Sequence, residues 1–506
     1  MTASLPPARV AVAAPHPAAL DAASAAIADG GDAIDAALAA ATALTVVYPH
    51  QCGLGGDLIA LVRRPGEGVT AVVSAGAAPA GIDVERLARE DRMPRQGAQT
   101  VTVPGAVAGW RALDELGGRL GLETPLRRAA RLAEEGFPVS AGLGRAIGLR
   151  AEELQADEGM REVFGDGDGG LLGEGDLLVQ PALAASLVEL AEDPAAFYRG
   201  RIAASLVERL RALGGAHTEA DLAAHEAELV EPATASTAGV RWWVAPPPSQ
   251  GVVLLGILPE ALGGDTAELV EAVRDAALVR QAALGDPRGG VIDVAAMLDP
   301  RGPAEGGLPR AGRALGDTVA VTAADSDGTV VTLIQSVYQL FGSGILDPGT
   351  GIVLHNRGSA FSTDPAHPGR VGPGLRPPHT LLPVIAESDD LVLALGCQGG
   401  SAQPWILAQL VSELLDPASD PVAALARPRF VVGARDLGHE EMTLVAEPGV
   451  DAAVAAAAAL GLPVAPAAGP IDEAGHVQLV RLHSHGGLDA ASDPRADGRS
   501  VVLSAG

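Results

Sequence analysis

Residues 318–335 read TVAVTAADSDGTVVTLIQ, and this stretch decides the fold. β-branched residues recur at every second position on both sides of the turn Asp325-Ser326-Asp327-Gly328. Alternation of that period suits a pleated strand, and a DG turn reverses the chain with the twist that paired strands require. The reading is a β-hairpin whose first strand opens abruptly at Thr318. What precedes it, residues 299–317 (DPRGPAEGGLPRAGRALGD), is rich in Pro, Gly and Arg and reads as a mobile surface loop. An internal threonine at such a junction has no activating base within sequence reach, so on spacing alone it is a structural residue.

Outward from the hairpin, the N-terminal side is mostly helical. Residues 17–47 form two Ala-rich helices broken at Gly30-Gly31, the second capped by Asp32. From Gly105 to about Val230 further helices are expected near 125–135, 181–192 and 201–213. RWWVAPPPSQGVVLLGIL then gives a strand, a Pro-rich turn and a buried apolar element, and AELVEAVRDAALVRQAALGDP a helix ended by Gly285 and Pro287. The C-terminal side continues with short strands and glycine turns, including LVLALGCQGGSA, and helices near 403–415 and 450–460.

Composition removes several kinds of function. A net charge of −28 argues against binding nucleic acid or another polyanion. Every basic residue is Arg, so lysine Schiff bases, pyridoxal-phosphate anchoring and the P-loop lysine are unavailable. No apolar run reaches the roughly 20 residues that span a bilayer, so no membrane segment is expected. The N-terminus has no basic leader before an apolar core, which points to a cytoplasmic protein.

Three constellations could carry chemistry. His483-Ser484-His485 resembles a two-histidine metal clip but lacks a third ligand at recognisable spacing, so an exposed strand is the plainer reading and no metal is expected. Cys397-Gln398-Gly399-Gly400 lies between a strand and a helix, where successive backbone N–H groups can face an anion; a bare turn is equally good. Gly53-Leu54-Gly55-Gly56-Asp57 lacks the spacing of a dinucleotide loop and reads as a tight backbone turn. Cys52 and Cys397 read as small buried residues.

A dozen ordered segments change the weight of these signals. GGDAIDAALAAATALTVVYPHQCGLGGD, VTVPGAVAGW, AEEGFPVS, AFYRG, APPPSQG, GDTVAVTAADSDGTVV, FGSGI, NRGSAFSTDP, PGLRPPHTLLP, GCQGGS, RPRF and ASDPRADG run from about residue 30 to residue 498. Together they resemble the γ-glutamyltransferase (glutathione hydrolase) family. The resemblance implies an N-terminal-nucleophile hydrolase: an α+β, four-layer αββα sandwich, here with a helical lobe in the N-terminal half. It implies an inactive precursor cut between Asp317 and Thr318, giving a large subunit of residues 1–317 and a small subunit of residues 318–506. Cleavage would give Thr318 its own α-amine, with a reference pKa near 8, as a base for the adjacent hydroxyl. Ser336 matches a supporting hydroxyl, and Gly399 and Gly400 match oxyanion-hole glycines. The reaction implied is amide hydrolysis or acyl transfer on a small molecule, without cofactor.

The departures from the family pattern concern the acyl site. An Arg expected in an Arg-Glu-x-Ala-Pro motif is absent from Ala75-Gly76-Ala77-Ala78-Pro79. An acid expected before a Phe is missing from Gly358-Ser359-Ala360-Phe361, and paired serines are replaced by His379-Thr380. These changes weaken the expectation of γ-glutamyl recognition. With NRGSAF and RPPHT they resemble a divergent branch that includes oxamate amidohydrolase. Arg357, His379, Thr380 and Tyr338 are the residues expected to form a replacement clamp for a carboxylate or amide. The alternative is that Arg357 and His379 are structural. A different class of reading is an unprocessed, catalytically silent homologue that binds a small metabolite; a metal-dependent hydrolase on His483 and His485 is more distant.

Overall fold

The computed structural model describes residues 9–301, 317–434 and 437–504. Residues 302–316, most of the expected mobile loop, lie outside the described residues. The hairpin forms as its alternation requires: strands Asp317–Asp325 and Val330–Tyr338 pair antiparallel with Thr322 opposite Thr332. They sit inside a seven-stranded sheet ordered Arg499–Ser504, Arg9–Ala14, Asp317–Asp325, Val330–Tyr338, Asp57–Arg64, Gly68–Ser74 and Glu228–Val230. Every neighbouring pair in it is antiparallel. A second antiparallel sheet runs Leu488–Ser492, Val477–His483, Leu391–Cys397, Val384–Glu387, Val240–Val244 and Ala233–Thr237.

Alternation along the hairpin assigns each side chain to a layer. Val319, Val321, Ala323, Val331 and Leu333 join a core with the helices Pro17–Ala28, Ala33–Val47 and Glu123–Glu135. Ala320, Ala324, Val330 and Ile334 face the other way, into the space between the sheets, where they meet Ile385, Ala394 and Leu381. The second sheet turns its outer face to another helical core that includes Gly251–Gly263, Thr266–Ala283 and Asp451–Ala459. The result is the expected αββα sandwich. Helix Ala33–Val47 is buried along its whole length, which explains why its sequence is apolar on every face.

The helical lobe also forms: Glu123–Glu135, Pro181–Glu192 and Arg201–Ala212 match the expected helices closely. The helix expected over 403–415 is instead two, Gln403–Ala408 and Val411–Leu414. The Gln409 side-chain amide donates to the Trp405 carbonyl at 2.7 Å, the acceptor that a continuing helix would use for the 409 backbone N–H, and also to the Phe430 carbonyl.

One parity consequence places the site. Thr318, Ser336 and Thr332 share the face of Ala320 and Ile334, so they look toward strand Leu391–Cys397. The Thr332 hydroxyl donates to the Leu395 carbonyl at 2.8 Å, and a Cβ at Gly396 would stand 2.9 Å from the Cβ of Ala320. Advancing along both strands from these contacts brings the turn after Cys397 toward the end of the sheet where Thr318 lies.

Candidate active site

The Thr318 hydroxyl donates to the Ser336 hydroxyl oxygen at 3.1 Å, and both residues are buried. The pairing register shifts between Gln335 and Tyr338, so Ser336 and Val337 together occupy the strand opposite Thr318. This bulge turns the Ser336 oxygen back to accept from the Tyr338 backbone N–H at 2.8 Å. Tyr338 has φ of +76°, a conformation that costs roughly 1–3 kcal/mol for a residue with a side chain. Its neighbours fix it: Val337 N donates to Gln51 O, and Gln339 N donates to the Asn356 side chain.

The glycine loop beneath makes this approach possible. A Cβ at Gly56 would lie 2.4 Å from the Ser336 carbonyl oxygen, and one at Gly55 2.2 Å from the Val353 carbonyl oxygen. Only backbone fits there, which agrees with the tight-turn reading.

Tyr338, Arg357 and Thr380 meet in one wall of a chamber of about 1080 Å³. The guanidinium carbon of Arg357 lies 3.3 Å from the centre of the Tyr338 ring, and its Nη1 donates to the Thr380 hydroxyl at 3.0 Å. Arg357 is 2% exposed, its Nε has no partner, and no carboxylate among the described residues pairs with it. Burial lowers its pKa, opposed by Tyr338 and Asp57.

His379 lies apart from these three side chains: its ring Nε2 is 3.2 Å from Asp57 Oδ2. The reason is geometric: His379 and Thr380 are consecutive in an extended segment, bridged at Ser249, so their side chains point to opposite sides. Burial holds the His379 ring neutral, with its pKa lowered to about 4. Asp57 is buried, which raises its pKa, but His355, with Nδ1 at 3.3 Å, and His379 outweigh that and hold it well below the usual carboxylate range. Its Oδ1 also accepts from the N–H groups of Gly76 and Gly105. The Asp57 and His355 network was not singled out from sequence, although Asp57 closes the quoted GLGGD loop.

Gly399 and Gly400 follow strand Leu391–Cys397 with φ of +147° and +54°, values open to glycine. A Cβ at Gly399 would lie 2.5 Å from Ile406 Cδ1. His483 ends its strand buried and is bonded to Asp489 at 2.7 Å, rather than lying on an exposed strand. Cys52 and Cys397 are buried free thiols. None of the described helices is long and apolar enough to cross a membrane.

Four similarities bear on this arrangement. The family model for gamma-glutamyltranspeptidase matches residues 19–503. The oxamate amidohydrolase proenzyme of Klebsiella pneumoniae subsp. pneumoniae is 36% identical across 96% of this chain and 97% of its own length. The acylase ACY 1 proenzyme of Pseudomonas sp. (strain SE83) is 32% identical across 97% and 93%. Among solved structures, cephalosporin acylase from Bacillus halodurans superposes with a TM-score of 0.85 and 30% identity over 99% of this chain and 97% of that one. Fold and relatives define an amidohydrolase of the N-terminal-nucleophile type, an enzyme acting on amide C–N bonds. The chain belongs to the gamma-glutamyltranspeptidase family.

Proposed function

We propose that the chain is a self-processing N-terminal threonine amidohydrolase that cleaves a small acyl amide bearing a carboxylate on its acyl half. The observation that carries the acyl specificity is Arg357: a buried guanidinium, stacked on Tyr338 and bonded to Thr380, with no carboxylate paired to it among the described residues. A buried cation so placed is satisfied by an anionic substrate group. The absence of an arginine in the segment Ala75–Pro79 and the 36% identity to an oxamate amidohydrolase proenzyme favour an oxamate-like acyl group over γ-glutamyl.

Processing and catalysis use the same hydroxyl. In the precursor Thr318 Oγ1 attacks the Asp317 carbonyl, the amide shifts to an ester, and water releases residues 1–317 as one subunit and 318–506 as the other. The freed Thr318 amine then takes the hydroxyl proton as Oγ1 attacks the substrate carbonyl. Ser336 holds Oγ1 in place, and the N–H groups at Gly399 and Gly400 hold the oxyanion. The amine leaves with the proton, and water, activated by the same α-amine, hydrolyses the ester to free acid.

The test is hydrolysis of oxamate, a neutral acyl amide and γ-glutamyl-p-nitroanilide by wild type, Thr318→Ser and Thr318→Ala. Oxamate turnover that survives in part in Thr318→Ser and is lost in Thr318→Ala is the expected result. Turnover by Thr318→Ala at the wild-type rate would remove the nucleophile.

A further inference from the structure

Gln250 is buried completely at the start of helix Gly251–Gly263, where its side chain makes no capping bond. A buried side-chain amide without partners would cost about 1–3 kcal/mol, so where this one points is informative. Its Nε2 donates to two backbone carbonyls, Thr380 O at 2.8 Å and Gly400 O at 2.9 Å. Its Oε1 accepts from Arg280 Nε at 2.5 Å. Only one orientation of the amide satisfies all three groups, because exchanging oxygen and nitrogen would set acceptor against acceptor and donor against donor. The backbone N–H of Gln250 also donates to the His379 carbonyl at 3.0 Å.

We propose that Gln250 is the positioning residue of the oxyanion turn, locking the Gly400 peptide and the acyl-clamp residue Thr380 to one side chain. The inference rests on the acyl-transfer reading above. Gly399 and Gly400 both have positive φ and no side chains, so the turn between strand and helix has several backbone states of similar energy. The Ala402 N–H holds Gly399 O at 2.9 Å, and the Gln250 amide holds Gly400 O, which leaves the intervening Gly400 N–H one direction to point. Because the same amide holds Thr380 O, the oxyanion donors and the hydroxyl that bonds Arg357 keep a fixed spacing. A substrate whose carbonyl and carboxylate must be held at once requires that spacing. Arg280, on the chamber wall, fixes the amide from its far end.

The experiment compares Gln250→Met, which keeps shape without donors, and Gln250→Glu, which keeps the acceptor for Arg280 but presents oxygen to both carbonyls. Both are purified as the processed pair and assayed beside wild type and Thr318→Ala on whichever amide wild type hydrolyses. Expected are a fall in kcat of roughly tenfold or more, KM within about threefold, and a modestly lowered unfolding midpoint with the processed pair still folded at the assay temperature. Gln250→His, with one donor, should recover part of kcat. If either of the first two fails to accumulate, the other decides. Unchanged kcat, or a loss confined to KM, would overturn the role of Gln250 while leaving the nucleophile intact. Activity in Thr318→Ala would overturn the reading beneath it.

Discussion

A guanidinium buried against a phenol ring and a threonine hydroxyl, with no carboxylate paired to it among the described residues, is costly unless an anion comes to it. In the proposed function Arg357 binds the substrate anion, and removing it should then be felt only by substrates that carry the matching charge. Arg357→Ala should raise KM for a carboxylated acyl amide by roughly tenfold to a hundredfold, the equivalent of a charge-assisted bond of about 1.5–3 kcal/mol, and leave a neutral acyl amide unchanged. Steady-state kinetics on the two substrates checks this; equal losses on both would mean that Arg357 only holds the wall together. Arg357→Lys should not restore binding, because an ammonium cannot stack flat on Tyr338 and reach Thr380 together. In the proposed mechanism a freed Thr318 amine is the base and acts only when unprotonated, so kcat/KM should fall as pH drops below about 8, the reference value of an α-amine. A flat profile from pH 9 to pH 6 would exclude that base.

The Gly53–Asp57 turn acts at the scale of elements. It is backbone packed on backbone, and its Asp57 carboxylate ties three segments together through Gly76, Gly105 and His379. Gly56→Ala would push a methyl group to 2.4 Å from Ser336 O, displacing the bulge that holds the Thr318 hydroxyl. The expected cost is about 1–3 kcal/mol and slowed processing, read from the unfolding midpoint and the time course of chain cleavage. An alanine variant as stable and as quickly cleaved as wild type would show that the turn can give way. The hairpin itself was legible in advance because its alternation and DG turn are local signals. The bulge was not: it depends on Ser336 and Val337 meeting Thr318 across strands, which no spacing along the chain records.

Over the whole molecule, layers were more legible than contacts. The motif order announced two sheets between helical layers, and Tyr338, Arg357 and Thr380, named together from sequence, do touch one another. His379, named with them, touches Asp57 instead, because extended backbone sends neighbouring side chains apart. Gln250 lay in a quoted segment, but its role depends on carbonyls 130 and 150 residues away.

Charge burial gives a further prediction at this scale. His50, His217 and His379 are buried and His225 half-buried, all neutral, with pKa values lowered by desolvation to about 3 for His50 and about 4 for the others. In the unfolded chain they bind protons near pH 6.5, so the unfolded state gains protons first as pH falls. Stability should therefore be full above about pH 6.5 and decline between 6.5 and about 4, each histidine contributing up to about 1.4 kcal/mol per pH unit. Thermal unfolding of Thr318→Ala, expected to keep one chain, should show a midpoint nearly level from pH 7.5 to pH 6.5 and falling from there to pH 5; a midpoint constant down to pH 5 would contradict the neutral buried histidines.

The central claim is that Thr318 becomes an N-terminus, and intact mass with N-terminal sequencing of the purified protein tests it most directly. Wild type should resolve into two chains, by proportion of the 50.8 kDa whole about 32 and 19 kDa, the smaller beginning Thr318-Val319-Ala320. Thr318→Ala should remain one chain. A wild-type protein that stays whole after long incubation, or is cut elsewhere, would contradict the account.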